Sequence, residues 1–450
     1  MLRFRIDWED EPRVRDPLLR ASWARLEILA REGEREFCLT DCLDERSQSL
    51  RRGIYGSVFP LAEWIVENWW SLMNESLRAD RFPGARALAK DEAFRPWVRR
   101  HSLLAARGGF ALPDLTLYRD GSRVVVRCIP DPPETEIPYP VRFARDVELR
   151  LARAEVEAGL RALVEAVIER VHELAPSEPG TSDLIANWEA VQESTRTEAG
   201  LCRAAAAMGL DPYDEGELSA DLLDVLEGSF RSLAPPLRWD LAESTTRDAV
   251  RADLSWVLEA SSRLGAQGPS TTPGPPDESG AVPAHRAGYR LARELVDRAG
   301  LPPVDDLEGF ARDRCGWSGS AEAPPQKDGV ATRINAMVGP DASGRPSLIP
   351  SAIPGRSESS RFLLGRALFF APSSEYPPPH RLLTRASAWS QRASRAFAAE
   401  LLAPAAELGR RVSARVTYEE IGELAREFHV SPMVIEHQLE NHRIAQVIDL

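Results

Sequence analysis

Histidine spacing is the first place to look for metal chemistry, because two imidazoles four residues apart share one helix face and can grip a single zinc ion. The chain has seven histidines, His101, His172, His285, His380, His429, His437 and His442, and no two of them stand four apart. His172-Glu173 opens like a zinc-protease string, but Leu174, Ala175 and Pro176 follow it, so it reads as a helix end. Cys38, Asp41, Cys42 and Asp44 form a local cluster of ligand-type residues. The spacing of the two thiols would put both on one face of a helix. With no second Cys or His pair beside them, buried packing is the expected role and no metal is assigned. Cys128, Cys202 and Cys315 bring the total to five, an odd and scattered set that suits free thiols better than a disulfide framework. The sequence carries no GxxxxGK[ST] phosphate loop, no GxSxG nucleophile elbow and no kinase-like set of motifs.

Whatever chemistry the chain performs must be positioned by more than one core, since 450 residues imply two or three domains. An apolar fraction of 43% and a charged fraction of 28% are ordinary for a soluble globular protein. No uncharged apolar run reaches the roughly 18 residues that span a membrane. The opening MLRFRIDWEDEP lacks the apolar stretch of a secretory signal, and a cytoplasmic location is expected. A net charge of −13 argues against strong non-specific affinity for nucleic acid, which rests on neutralising phosphates.

The clearest boundary is the segment 265–284, beginning GAQGPSTTPGPPDESGAVP, whose Gly, Pro, Ser and Thr cannot build a core and read as a linker. Residues 1–140 are expected to form an α+β unit. LRFRID is strand-like, and in LTLYRDGSRVVVRCI the pair Asp120-Gly121 separates two strand-forming runs, a hairpin signal. Pro60 precedes LAEWIVENWW, where Leu61, Trp64, Ile65 and Trp69 recur at helical spacing; the tryptophans are expected in the core rather than at a binding surface. Residues 141–264 are expected to be helical. From about Phe143 to Leu174 an apolar stripe runs through Leu149, Ala152, Val156, Leu160, Leu163, Val167 and Val171, and helical stretches follow near 182–208, 217–232 and 246–263.

After the linker, His285 to Gly300 reads as a helix stopped by Leu301-Pro302-Pro303, and DLEGFARDRCG as a second, shorter one. VATRINAMVGPDASGRPSLIPSAI reads as two β-runs around a Gly/Pro/Asp-rich turn. SRFLLGRALFF and ASRAFAAELLAP then read as helices. Near the end, Thr417-Tyr418-Glu419-Glu420 is a capping-box start, and Ser431-Pro432 breaks and restarts the chain, giving a helix-turn-helix-like outline.

That order of elements, over residues 285–450, resembles the ImmA/IrrE family of zinc metallopeptidases: a helix pair, a small β-meander, an active-site helix commonly written RFTLAHELGH, and a helix ending in FAAxLLMP. Arg361, Phe362, Leu364 and Leu368 match the frame of the first motif, and Ala396-Phe397-Ala398-Ala399-Glu400-Leu401-Leu402-Ala403-Pro404 matches the second almost throughout. The resemblance implies an α+β, predominantly helical protein whose carboxy-terminal domain is zincin-like. In active members two histidines ligate zinc, a glutamate activates water and a downstream acid completes the site. Here the histidine positions hold Arg366 and Phe370, the glutamate position holds Ala367, and the acidic positions fall at Gln391 and Ala393. Guanidinium has no lone pair to give a metal, and Phe and Ala have no ligand atom.

The resemblance therefore implies a pseudopeptidase with no catalytic residues and no cofactor, binding a protein partner in repressor control, stress response or mobile-element regulation. Two alternatives stand beside it: a divergent zinc metallo-endopeptidase with ligands from elsewhere, and a DNA-binding regulator using the last helix pair with Arg426 and Arg443. DNA is the less favoured partner, since MVIEHQLENHR is acidic for a major-groove helix, and no membrane is expected. Arg366, Arg392 and Arg395 are candidates for an anion site where the metal stood, the alternative being that they pair with acidic neighbours such as Glu400 or simply reach solvent.

Overall fold

Alternation in LRFRIDW turns one face of a strand toward a core, and Leu2–Trp8 forms β1 with Leu2 buried and Arg3, Arg5 and Asp7 exposed. The computed structural model describes residues 1–79, 82–132, 140–264, 282–299, 306–320, 333–352, 356–370 and 380–448. Two compact units emerge, Met1–Ala220 and Asp221–Leu450. The architecture is mixed α/β, with more helix than strand and small, mainly antiparallel sheets. No helix among the described residues is long and apolar enough to cross a membrane.

In the first unit, β1 pairs antiparallel with β2 (Trp23–Glu32), which also pairs with β3 (Arg35–Cys38) and, by a different stretch, with β6 (Ile54–Ser57). A second sheet joins β4 (Cys42–Asp44) to β5 (Ser49–Arg51) and β9 (Val141–Phe143). The expected hairpin is present as β7 (Asp114–Asp120) and β8 (Arg123–Ile129), turning at Gly121 with φ of 66°, and β10 (Val147–Ala152) extends it. Helices α1 (Pro17–Ala21), α2 (Phe59–Glu67), α3 (Trp69–Asn74), α4 (Ala85–Leu88) and α5 (Arg95–His101) fall between these strands. Three more follow them: α6 (Arg153–Leu174), α7 (Pro179–Thr197) and α8 (Ala199–Ala207).

The expected helix from Phe143 is corrected here. Before Arg153, Phe143 ends β9 and Val147–Ala152 is β10, because VELRLA also alternates with period two and sets Leu149 and Leu151 opposite Val126 and Val124 of β8. The tryptophan-rich segment is helical and buried as expected, broken at Asn68 into α2 and α3. Trp69 meets Trp188 edge-on at 5.0 Å, and Trp70 Nε1 donates to the Tyr213 hydroxyl at 2.9 Å. Ile28, Leu61 and Trp69 share one apolar cluster with Val156, Leu160, Trp188 and Cys202. Residues on both sides of the expected boundary at 140 thus build a single core.

The second unit comprises α9 (Ala220–Val225), α10 (Pro235–Ser244), α11 (Val250–Leu264), α12 (Ala284–Ala299), α13 (Leu307–Cys315), β11 (Gly319–Ser320), β12 (Ile334–Pro340) and β13 (Pro346–Pro350). It continues with α14 (Ser357–Phe370), β14 (Arg381–Thr384), α15 (Trp389–Leu402) and α16 (Ala405–Arg411). β15 (Arg415–Thr417), α17 (Tyr418–Glu427), α18 (Pro432–Asn441) and β16 (Gln446–Ile448) complete it. Segment 221–264 therefore belongs with the carboxy-terminal region rather than with the helices before it, while the linker residues 265–281 lie outside the described residues.

Four strands form the central sheet in the order β11-β13-β12-β14, with β12 antiparallel to both neighbours. β12 packs against α14 and also against α11, which explains why INAMV is an almost unbroken buried run. α12 and α15 pack closely through Gly288, where a Cβ would fall 2.3 Å from the Ala393 carbonyl oxygen. The last helix pair has the expected outline, with the reciprocal Thr417–Glu420 capping box formed; Ser431 precedes α18 without a side-chain cap bond.

Candidate functional site

The positions singled out on the two motif helices meet in space. Arg366 projects from α14 and is 3% exposed; Gln391 lies in the first turn of α15 and is 1% exposed. Arg366 Nη2 donates to Gln391 Oε1 at 2.8 Å and to the Thr384 carbonyl at 2.9 Å, while its Nε reaches Ser394 Oγ at 3.3 Å. Gln391 faces β14 with both amide ends: Oε1 accepts the Thr384 N–H at 2.8 Å and Nε2 donates to the Leu382 carbonyl at 2.7 Å. Ala367 and Phe370 on α14 and Ala393 on α15 are buried apolar side chains.

Strand register explains why these side chains can reach the backbone. The Arg385 N–H bonds Arg333 on the β12 side, so alternation along β14 turns the polar groups of Leu382 and Thr384 away from β12. Three of the four are taken by Arg366 and Gln391. The fourth, the Leu382 N–H, donates to Asp240 Oδ2 of α10 at 3.0 Å. Asp240 also holds Arg381 in a two-point pair, with Nε–Oδ2 at 2.7 Å and Nη2–Oδ1 at 2.9 Å. Side chains thus close the edge of β14 as a paired strand would.

Charge at the centre is unbalanced. All the Arg366 hydrogen bonds go to neutral oxygens, and no carboxylate pairs with it among the described residues. Burial, with the Arg395 charge adding to it, pushes the Arg366 guanidinium down to about 9. Arg395 binds the Ala386 carbonyl through both terminal nitrogens at 3.1 Å, and Arg392 lies half-buried on the same helix. Glu400, weighed as a partner for these arginines, is engaged elsewhere. It accepts from Arg293 at 2.7 Å and from Gln438 at 2.9 Å, with His442 Nε2 at 3.3 Å. Burial alone would raise the Glu400 carboxyl, but contacts from His442, Arg293 and Gln438 outweigh it and hold the group below its usual range. This cluster ties α12, α15 and α18 together.

Zinc chemistry does not fit the residues present. Arg366 is a donor only, Gln391 Oε1 already accepts two hydrogen bonds, and Ala367, Phe370 and Ala393 offer no ligand atom. His380, which precedes β14, is buried with Nδ1 3.0 Å from Ser261 Oγ of α11.

In the first unit, the Cys38–Asp44 cluster is not drawn together. Cys38 and Cys42 sit on strands rather than on one helix face, Asp41 pairs with Arg145, and Asp44 pairs with Arg51 at 2.6 Å. Burial pushes the Cys42 thiol up to about 11. Among the described residues, no three His, Cys, Asp or Glu side chains are grouped to hold a metal. Sequence reading passed over a buried dyad: Glu75 Oε2 lies 3.0 Å from His101 Nε2, and Arg100 reaches the same carboxylate twice at 2.8 Å. It also missed Asp240 and Arg381, whose partnership across 141 residues leaves no local signal.

Compared with known proteins, the sequence matches no family model, and no curated protein shows significant similarity to it.

Proposed function

We propose that residues 285–450 form a non-catalytic, ImmA/IrrE-like, zincin-type domain that binds a protein partner without cutting it, in a regulatory role such as repressor control, stress response or mobile-element regulation. The carrying observation is the 2.8 Å contact between Arg366 and Gln391. The resemblance assigns these two positions to ligands of a single metal, so it requires them to be neighbours although they lie on different helices. They are neighbours, and the chemistry they bring together is a hydrogen-bonded plug rather than a metal site. A peptidase also needs room for a substrate backbone beside its metal, whereas the outward groups of β14 are already taken by Arg366, Gln391 and Asp240.

Metal content of the purified, untagged full-length chain, read by elemental mass spectrometry, tests the reading. Zinc far below one atom per chain is expected. About one tightly held zinc per chain would overturn it and favour a divergent metallo-endopeptidase.

A further inference from the structure

Two consecutive residues at the start of β14 gather three donors on one carboxylate. Arg381 supplies Nε and Nη2, Leu382 supplies its N–H, and all three end on Asp240 at 2.7, 2.9 and 3.0 Å. The pair is secluded, with side chains 11% and 3% exposed, and the Arg381 guanidinium carbon stands 4.7 Å from the Phe370 ring centroid. This is a complete carboxylate-binding site: a forked guanidinium for two oxygens, a backbone donor for one of them, and an aromatic face beneath the cation.

Its occupant is supplied by a segment outside residues 285–450. α10 is a ten-residue helix that begins with Pro235-Pro236. Ahead of it the chain is kinked at Gly228, whose φ of −84° and ψ of −108° leave helical geometry. A buried ion pair adds little net stability over apolar packing, yet it dictates which group occupies the position.

We propose that Arg381 and the Leu382 N–H form a docking site for an acidic side chain on a partner's peptide segment, and that α10 is an intramolecular strap which fills this site with Asp240 until the partner competes for it. The inference rests on reading this domain as one that binds a protein partner without cutting it. Gln391 and Arg366 occupy the remaining outward groups of β14, so the partner enters by its carboxylate and does not lie along the strand.

The test uses the full-length chain and two fluorescein-labelled hexapeptides that differ only in carrying Asp or Asn at one central position. Anisotropy titrations are run on wild type, Asp240→Ala and Asp240→Ala/Arg381→Gln. Removing the Asp240 carboxylate is expected to tighten Asp-peptide binding at least tenfold over wild type, with at least tenfold preference over the Asn twin, and the second substitution to abolish the preference. An Asp240→Ala chain that keeps its circular dichroism spectrum and shows no preference overturns the proposal. If that variant fails to fold, hydrogen exchange on wild type decides: excess Asp peptide is expected to accelerate exchange over residues 235–244 and leave 59–67 unchanged, and no acceleration overturns it. Zinc-bearing protein that still prefers the Asp peptide would sink the non-catalytic reading alone, and zinc-free protein without preference would sink the docking site alone.

Discussion

Gln391 meets Thr384 as the amide of an adjacent strand would, accepting its N–H at 2.8 Å while returning a bond to the Leu382 carbonyl at 2.7 Å. One side chain thereby replaces a length of ladder, and Arg366 completes the seal at the Thr384 carbonyl. The two residues hold α14, α15 and β14 in register with one another. That gives positions assigned by resemblance to metal ligation a structural task.

Gln391→Ala should lower stability by about 3 kcal/mol, because it strips partners from two buried backbone groups and from Arg366, each worth about 1–3 kcal/mol unpaired. Urea denaturation measures it. A loss below about 1 kcal/mol would mean that β14 finds other partners.

Arg366→Met tests the opposite balance. A buried guanidinium without a carboxylate carries a desolvation cost that an apolar side chain of similar length removes, offset by the loss of its bonds to Thr384, Gln391 and Ser394. The expected change is within about 1 kcal/mol, clearly smaller than for Gln391→Ala in the same titration. A drop as large as that of Gln391→Ala would point to a counter-ion held against Arg366.

Gly288→Ala should be costly despite its size. The new Cβ would lie 2.3 Å from the Ala393 carbonyl and 2.8 Å from the Phe397 nitrogen, both backbone atoms, so α12 and α15 must separate. Overpacking of this kind costs roughly 1–3 kcal/mol or more, readable as a lowered melting temperature. An unchanged melting temperature would contradict the close helix approach.

In the first unit, burial alone would raise Glu75, but the hydrogen bond from His101 and the charge of Arg100 outweigh it and bring its carboxyl from 4.5 down to about 2. A pKa depressed in the folded state contributes stability that is present in full above the unfolded value and is lost as pH falls through the folded one. The stability gap between wild type and Glu75→Gln should therefore be largest above pH 4.5 and shrink between 4.5 and about 2. Denaturation curves across that range read it, and a gap independent of pH would rule out a depressed Glu75 carboxyl.

Periodic and turn-coded features were legible in the sequence. The Asp120-Gly121 hairpin, the buried tryptophan helix, the Thr417–Glu420 capping box and the two motif helices appear where residue types placed them. β10 was not, because VELRLA satisfies a helical stripe and a strand alternation alike, and its pairing with β8 decides between them. β14 escaped notice as a four-residue strand, and α10 as a Pro-started segment with only ten residues. At the site, Arg366 and Gln391 could be named from the motif frame, whereas Asp240 could not. A long-range partner of an edge strand is set by tertiary packing and leaves no pattern in the local sequence.

Zinc titration by calorimetry, on chelator-treated wild type beside Arg366→His/Ala367→Glu/Phe370→His, tests the central claim most directly. The account predicts no saturable zinc binding to wild type and a clear gain in zinc affinity in the triple variant, since the substitutions restore two imidazoles four residues apart on α14. Tight binding of one zinc by wild type, with no gain in the triple variant, would contradict it.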